Sequence, residues 1–346
     1  MRTPSSRGPV SSALITALTG TPTPLPAGLA GTWDGTDPLS DDDLQLSLFI
    51  CYELHYRGWS DVDDRWEWEP SLLALRAEAE TRFECALRRL VPTPSPVEPV
   101  GIPQALARLV AEDSGPSLAA ELHRHPDLER FREFVIHRSV YHLKEADPHS
   151  WGIPRLTGAA KVALLEIQFD EYGSGRPERM HSELFRDTMR WFGLRHDYGH
   201  YVDAVPAVTL ATNNLMSLFG LHRRWRGALL GHLAAFEMTS SLPNRRYGDA
   251  LRRLGAPTTA TRFYDEHVVA DAVHEQIAAT DLCGSFATAE PDRAGDVLFG
   301  AACGLALDRA FATWVLDSWQ AGDSSLRADH VTHPETSAIT DAVPVG

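Results

Sequence analysis

Three side chains of metal-ligand type lie close together in the segment His267-Val-Val-Ala-Asp271-Ala-Val-His274. At about 100° per residue, an α-helix would place His267, Asp271 and His274 within an arc of roughly 60°. The neighbouring residues are mostly apolar, so this helix should be packed, and burying imidazoles and a carboxylate there costs free energy unless they are paired. A divalent metal would pair them, because imidazole and carboxylate suit iron, manganese or zinc. The alternative is histidines satisfied by hydrogen bonds in the core beside a solvated aspartate.

Four other predicted helices each carry one ligand-type side chain on an apolar stripe. These residues are Glu145, Glu171, His181 and Glu237. A single such residue is often only the solvated end of a stripe. Two metals bridged by carboxylates inside a helix bundle need about six ligands, and these four residues together with segment 267–274 would supply them.

A second carboxylate competes with Glu171 for the same role. Glu178-Arg-Met-His181 is a Glu-x-x-His pattern, and Asp271-Ala-Val-His274 repeats it with aspartate, as in ferritin-like two-iron proteins. Glu178 lies in the first turn of a predicted helix, where the helix dipole alone favours an acidic residue. The ferritin-like pattern would also leave His267 surplus. We therefore favour Glu171, and the assignment to Glu178 stays open as the alternative.

Two further residues share the stripe that leads to Glu145. Arg138 lies two turns earlier and is expected to meet a carboxylate of a substrate or of a neighbouring residue, since a buried guanidinium needs an anionic partner. His142 is expected either to orient a carboxylate ligand from behind or to pack as a neutral histidine.

The elements that must position these residues are predicted to be helices. Apolar stripes at helical spacing predict helices over 131–146, 157–171, 208–239, 261–280 and 291–320, with another beginning at Pro177. The sequence shows neither alternating β patterns nor Asn-Gly hairpin turns. The predicted fold class is therefore all-α.

Composition divides the chain into five parts. We expect a mobile arm at 1–38, a helical N-terminal unit at 39–92, a proline-rich linker with a connecting helix at 93–124, the main helical domain at 125–322 and a polar tail at 323–346. Trp66 and Trp68 of the N-terminal unit are expected either to pack within that unit or to contact a second copy of the chain. We expect a homodimer.

Charge and hydropathy argue against several classes of protein. Acidic residues outnumber basic ones, 47 to 32, and no lysine- or arginine-rich run occurs, so nucleic acid and anionic membranes are not expected partners. No apolar stretch reaches about 18 residues, and residues 1–20 lack the apolar segment of a secretory signal. The four cysteines are far apart and are expected to be buried free thiols. These features predict a cytoplasmic protein.

The combined spacing of Glu145, Glu171, His181 and segment 267–274 resembles that of the heme-oxygenase-like diiron oxidases and oxygenases. The segments 144–148, 170–173 and 275–278 look like the actinobacterial iron-containing redox enzyme branch of that superfamily, and the resemblance covers about residues 125–320. It implies a heme-oxygenase-like helical bundle that holds two irons in place of heme, here preceded by the extra N-terminal unit.

The resemblance also implies a distribution of ligands between the two irons. One iron would take Glu145, His181 and His274, and the other would take His267 and Asp271, with Glu171 as the bridge. Glu237 matches a carboxylate that joins the site in some members when iron binds.

Family members use Fe(II) and dioxygen to oxygenate amine nitrogen or to cleave C–C bonds in amino or fatty acids. By this resemblance we expect two Fe(II) per chain, dioxygen as co-substrate, an external electron donor and a small polar amine that is N-oxygenated in specialised metabolism. One alternative is oxidative C–C cleavage or desaturation of an amino or fatty acid. Another is a non-catalytic helical protein that binds iron or a small metabolite.

Overall fold

The computed structural model describes residues 1–33, 37–92 and 96–327, apart from the side chains of Ala30, Thr32, Asp271 and Ala272. This part of the chain contains helices and no strand, which confirms the all-α class. The α-helices in chain order are α1 (Pro9–Leu18), α2 (Asp42–Glu53), α3 (Pro70–Leu90), α4 (Ile102–Glu112), α5 (Leu118–Arg124), α6 (Leu128–His142), α7 (Asp147–Ser150), α8 (Gly158–Glu171), α9 (His181–Trp191), α10 (Ala207–Leu221), α11 (Arg226–Arg253), α12 (Thr258–Gln276), α13 (Ser285–Ala289) and α14 (Ala294–Ala321).

The two longest helices, α11 and α14, pack against each other through glycines. A Cβ atom at Gly231 would overlap the carbonyl group of Val297, and one at Gly300 would overlap that of Ala228. The two backbones therefore touch directly. α12 packs along another side of α11, so α11 lies at the centre of the bundle.

Helix α1 corrects the expectation that residues 1–38 form a mobile arm. Val10, Leu14 and Leu18 recur at helical spacing and are fully buried. The carboxylate of Asp43, on α2, accepts hydrogen bonds from the backbone N–H groups of Val10 and Ser11 at 2.9 and 2.7 Å. This cap comes from a residue more than 30 positions away, so the proline- and glycine-rich local sequence does not reveal it.

The N-terminal helices share one hydrophobic core with the main bundle. Residues of α1, α2 and α3 pack in the same cluster as residues of α6, α10 and α14. Trp66 is fully buried and donates from Nε1 to the carbonyl of Gly20, whereas Trp68 is exposed. At the other end, Ser325 packs against the bundle and contacts Glu133, so the predicted polar tail is anchored as far as Arg327. Residues 328–346 lie outside the described part of the chain.

The long helix predicted over 208–239 is two helices. His222 has an extended backbone, and its Nε2 atom lies 2.9 Å from Glu80 Oε2 on α3, so a tertiary contact interrupts the helix between α10 and α11. α11 then continues through Pro243 to Arg253. A proline in a helix removes one hydrogen bond and usually marks an end. Here the buried residues Tyr247, Ala250 and Leu251 hold the following turns in place.

The end of α12 runs into a π-helix, Ile277–Gly284, which begins three residues after His274. Such wide turns are uncommon and occur frequently at functional sites. Cys51, Cys283 and Cys303 are buried free thiols as expected, but Cys85 is exposed.

By length and composition, the helical stretch Pro291–Ala321 could cross a membrane. However, 67% of its most apolar window is buried inside the protein. The stretch is buried because α14 packs against α11 in the core.

Candidate metal centre

A tight turn brings His181 back to Glu171. Glu171 is the last residue of α8, and His181 is the first of α9. Between them Gly173 has a φ of 73°, and a Cβ atom there would lie 2.6 Å from the backbone nitrogen of Met180. Only glycine fits such a close approach with a positive φ. As a result His181 Nδ1 lies 3.0 Å from Glu171 Oε2, and both side chains are buried.

His267 enters the centre from α12 with its ring orientation fixed. Its Nδ1–H donates to the carbonyl of Phe263, one turn earlier, at 2.7 Å. That bond leaves a lone pair on Nε2, which lies 3.7 Å from Glu145 Oε1. A histidine that donates one ring nitrogen to a carbonyl and presents the other is the usual form of a metal-binding imidazole.

The candidate ligands form two groups that share one residue. The first group contains Glu145, Glu171, His181 and His267. Each of these residues offers one ligand atom, and the four atoms lie within 4.8 Å of one another. In the second, the same holds for Glu171, Glu237 and His274, where His274 Nδ1 lies 3.3 Å from Glu237 Oε2. The shared residue is Glu171, as expected for a bridging carboxylate.

The structure corrects how the histidines were expected to divide between the two positions. His267, and not His274, lies with Glu145 and His181, while His274 lies with Glu237. The two histidines are seven residues apart on α12, about 10.5 Å along the helix axis, so each reaches a different position. The side chain of Asp271, expected as a ligand, lies outside the described part of the chain.

Several buried polar atoms in the two groups fit a metal better than they fit each other. Glu145 Oε2, Glu171 Oε2, His181 Nδ1 and His274 Nδ1 have no hydrogen-bond partner among the described residues, although they lie close together. Buried polar atoms are rarely left in this state, because each costs about 1–3 kcal/mol. Bound cations would satisfy all of these oxygen and nitrogen atoms, in place of the proton that His274 carries when iron is absent. The donors are carboxylate oxygens and imidazole nitrogens, and neither group contains a cysteine, which suits iron.

His142 contacts the carboxylate of Glu145 and orients it. Its Nδ1 atom lies 2.9 Å from Glu145 Oε1. Burial alone would raise the pKa of Glu145, but the contact with His142 outweighs it and helps to hold that pKa well below its ordinary range. Burial lowers the pKa of His142, so its Nδ1 acts as a neutral donor. This is the orienting arrangement considered for His142 from the sequence.

A cavity of about 280 Å³ opens beside the two ligand groups. Glu145, Glu171, Glu237 and His267 line one part of its wall. Arg138 lines another part and donates from Nη2 to Asp308 Oδ1 at 2.7 Å. The carboxylate that was expected to meet Arg138 is therefore that of Asp308, a residue of the protein itself.

The sequence prediction missed four side chains close to the ligands. Burial lowers the pKa of His149 to about 4 despite nearby Glu171 and Glu145, so this cavity-lining histidine is neutral, and its Nε2 lies 3.3 Å from His232 Nδ1. Tyr141 also lines the cavity. Asp170 Oδ2 contacts His274 Nε2 at 3.2 Å. Tyr141 is on α6 and His149 is on α7, and the turn between these helices carries Glu145 and brings both residues to the cavity.

Comparison with known proteins decides the family. A family model described as iron-containing redox enzyme matches residues 132–309, about half of the chain. The chain belongs to the iron-containing redox enzyme family. It is also 29% identical over 156 residues to nitrosourea synthase from Streptomyces achromogenes subsp. streptozoticus, covering 43% of this chain and 32% of that protein. The chain thus matches only about a third of its relative.

Membership confirms the resemblance inferred from the sequence, including the heme-oxygenase-like helical fold, and identifies the protein as an oxidoreductase. The matched segment contains Glu145, Glu171, His181, Glu237, His267 and His274. The cavity and both ligand groups therefore belong largely to the part of the chain that defines the family.

Iron binding should strengthen with pH, because His274 must lose a proton before it can ligate. Burial would lower the pKa of His274, but Glu237, Asp170 and Glu171 outweigh it and raise the pKa to about 9. Between pH 7 and 9, release of one proton would raise the affinity of this position about tenfold per pH unit. Anaerobic Fe(II) titrations across this range measure the slope, which should flatten above the pKa. A His274→Ala variant should lose this component of the slope, and a pH-independent affinity in the unaltered protein would contradict the prediction.

Proposed function

We propose that this protein is a two-iron oxygenase that uses dioxygen to oxygenate the nitrogen of a small amine. The observation that carries the proposal is the pair of ligand groups that share Glu171. A single metal would need only one of these groups. The second group adds two further buried side chains of ligand type, Glu237 and His274, beside Glu171.

When bound, iron in this ligand set would supply electrons and a position for dioxygen. The chain's own residues hold the geometry and control the surroundings. His142 fixes the carboxylate of Glu145, and the carbonyl of Phe263 fixes the ring of His267. Apolar and aromatic side chains of the cavity, such as Leu233, Phe236 and Phe263, limit water around the reacting groups.

The reacting amine must be neutral at the moment of reaction, although the carboxylates of Glu145, Glu171 and Glu237 line the cavity. The nitrogen must present its lone pair, so an ammonium substrate must give up a proton on entering. With electrons from an external donor, the reaction balances as R–NH2 + O2 + 2 e⁻ + 2 H⁺ → R–NHOH + H2O.

N-oxygenation is favoured over fatty-acid cleavage by the shape and polarity of the cavity. A volume of about 280 Å³ is at the lower end for small-molecule sites. Its wall includes the charged pair of Arg138 and Asp308, which a long alkyl chain would shield from water without offering a hydrogen bond in return. The name of the relative nitrosourea synthase, whose product class contains an N–O bond, supports the same choice.

Mass spectrometry after turnover with ¹⁸O-labelled dioxygen would test this proposal. Iron-loaded protein, a chemical reductant and panels of amines and fatty acids should give label on nitrogen, with one labelled oxygen atom per hydroxylamine formed. Labelled water with ordinary dioxygen should give unlabelled product and is the control. Loss of carbon with alkene formation would establish the cleavage alternative. Iron binding without substrate-dependent dioxygen uptake would favour a non-catalytic protein.

A further inference from the structure

An ion pair forms one part of the cavity wall beyond the ligand groups. Arg138 Nη2 and Asp308 Oδ1 are 2.7 Å apart, and both residues line the cavity. The side chain of Arg138 is 17% exposed and that of Asp308 is 45% exposed. The pair is therefore held in the protein but remains accessible to a molecule in the cavity.

Arg138 is fixed in position and charged. Its guanidinium carbon lies 4.6 Å from the ring centre of Phe311 and 5.6 Å from that of Phe134. Burial would lower the pKa of Arg138, but Asp308 outweighs it and raises the pKa. A guanidinium has five N–H donors, and Asp308 is its hydrogen-bond partner within the described part of the chain. Further donors of Arg138 are available to a ligand.

The pair offers a ligand both hydrogen-bond donors and acceptors with no net charge. A simple carboxylate would be attracted by Arg138 but repelled by Asp308. A simple ammonium group would be attracted by Asp308 but repelled by Arg138. A group that contains both a donor and an acceptor satisfies both members of the pair. Charge complementarity of this kind determines specificity more than total affinity.

The distance between the ion pair and the candidate ligands defines the length of such a molecule. Arg138 lies one helical turn before His142, and His142 contacts Glu145. Helix α6 continues from Arg138 to His142, about 6 Å along its axis, and the turn that follows carries Glu145. Tyr141 and Phe236 line the cavity as well and pack against each other. A short apolar linker would suit this stretch of wall.

Building on the proposed function, we propose that Arg138 and Asp308 bind the non-reacting end of the amine substrate. That end is a net-neutral polar group with both donors and acceptors, either the zwitterionic end of an amino acid or a primary amide. Asp308 determines the preference, because it offsets the charge of Arg138. The amine at the other end of the molecule reaches the ligand groups.

Four probes with the same terminal amine and carbon spacing test this assignment. Lysine has a zwitterionic end, 6-aminohexanamide a neutral amide, 6-aminohexanoate a carboxylate and 1,5-diaminopentane an ammonium group. Calorimetric titration of iron-loaded protein without oxygen measures binding in the absence of turnover. We expect lysine or the amide to bind at least about tenfold more tightly than the other two, and the better of the two identifies the head group.

Replacing Asp308 should change the order of the affinities for the four probes. In Asp308→Asn the charge of Arg138 is no longer offset, so 6-aminohexanoate should gain about tenfold in affinity relative to lysine. Glu290→Gln is the matched control, because Glu290 pairs with the buried Arg226 away from the cavity. That variant should keep the order of the unaltered protein.

A second variant covers the case in which Asp308→Asn folds poorly. Arg138→Gln combined with Asp308→Asn removes both charges, so it should still bind the amide and lose any preference for lysine over 6-aminohexanoate. Equal affinity of the unaltered protein for all four probes, or for none, would overturn the assignment, as would an unchanged order in Asp308→Asn. Because binding is measured without oxygen, these outcomes are independent of whether nitrogen is the atom that becomes oxygenated.

Discussion

Replacement of Glu171 by alanine should remove substrate-dependent dioxygen uptake and lower the iron content of both positions. Glu171 contributes to both ligand groups, so its loss weakens each of them. Loss of residues that merely orient ligands already costs about 10–100-fold in metal affinity or activity. We therefore expect the uptake rate to fall by at least about 100-fold. Iron analysis after anaerobic loading and oxygen-electrode measurements provide the two readouts.

The other ligands should divide according to the groups that the structure defines. His267→Ala should lose the iron of the first position and keep most of the second, and His274→Ala should do the reverse. The unaltered protein should bind close to two irons per chain. A titration of the unaltered protein that saturates at one iron would contradict the two-metal assignment.

Glu178→Ala is the comparison that separates the two sequence assignments. Glu178 is exposed on the short turn Pro177–Arg179, whereas Glu171 is buried. On this geometry Glu178→Ala should keep two irons and most of the activity. Loss of iron in Glu178→Ala alone would establish the Glu-x-x-His assignment instead. Loss in both variants would add Glu178 to the ligand set.

Replacement of Lys144 by methionine should lower the free energy of unfolding by about 3–5 kcal/mol. Lys144 Nζ pairs with a carboxylate oxygen of Glu53, and both side chains are almost completely buried. The same oxygen of Glu53 accepts a hydrogen bond from Tyr198 at 2.8 Å. Without Lys144 the charge of Glu53 is buried and uncompensated. Urea unfolding of the iron-free protein measures the difference.

Two further variants make this stability prediction specific. Lys161→Met removes a lysine on α8 for which the structure shows no ion pair among the described residues, and it should change stability by no more than about 0.5 kcal/mol. The double variant Lys144→Met with Glu53→Gln removes the buried charge while keeping an acceptor for Tyr198. It should recover more than half of the loss, and an equal loss in the single and double variants would rule out the buried charge as the cause.

The Lys144–Glu53 pair also connects the N-terminal helices to the metal centre. Glu53 is the last residue of α2, and Lys144 immediately precedes Glu145. The Lys144→Met variant should therefore bind iron more weakly at the first position. This connection explains why residues 39–92 are better described as part of the bundle than as a separate unit.

The sequence predicted the helices and most of the cluster because both depend on local spacing. The stripes ending at Glu171 and Glu237, and the arc of His267 and His274, follow from helical periodicity alone. All four side chains are buried at the centre, as that periodicity required.

The grouping of the ligands could not be predicted from spacing, because it depends on how helices cross. His267 and His274 share one face of α12, and periodicity does not say which of them meets Glu145 and His181 and which meets Glu237. The same applies to α1, whose N-terminal N–H groups are satisfied by Asp43 of α2. Likewise, the interruption at His222 is associated with a contact to Glu80. Each of these features involves residues that are distant in sequence.

The glycine contact between α11 and α14 limits how substrate size can change in this protein. Packed helices are usually separated by a layer of side chains, which substitutions can thin or thicken. At Gly231 and Gly300 that layer is absent. Glu237 on α11 and Asp308 on α14 therefore keep a nearly constant separation. Adaptation to longer or shorter amines would have to act through the other cavity walls, on α5 and α12, while this side preserves the spacing between the reacting centre and the ion pair.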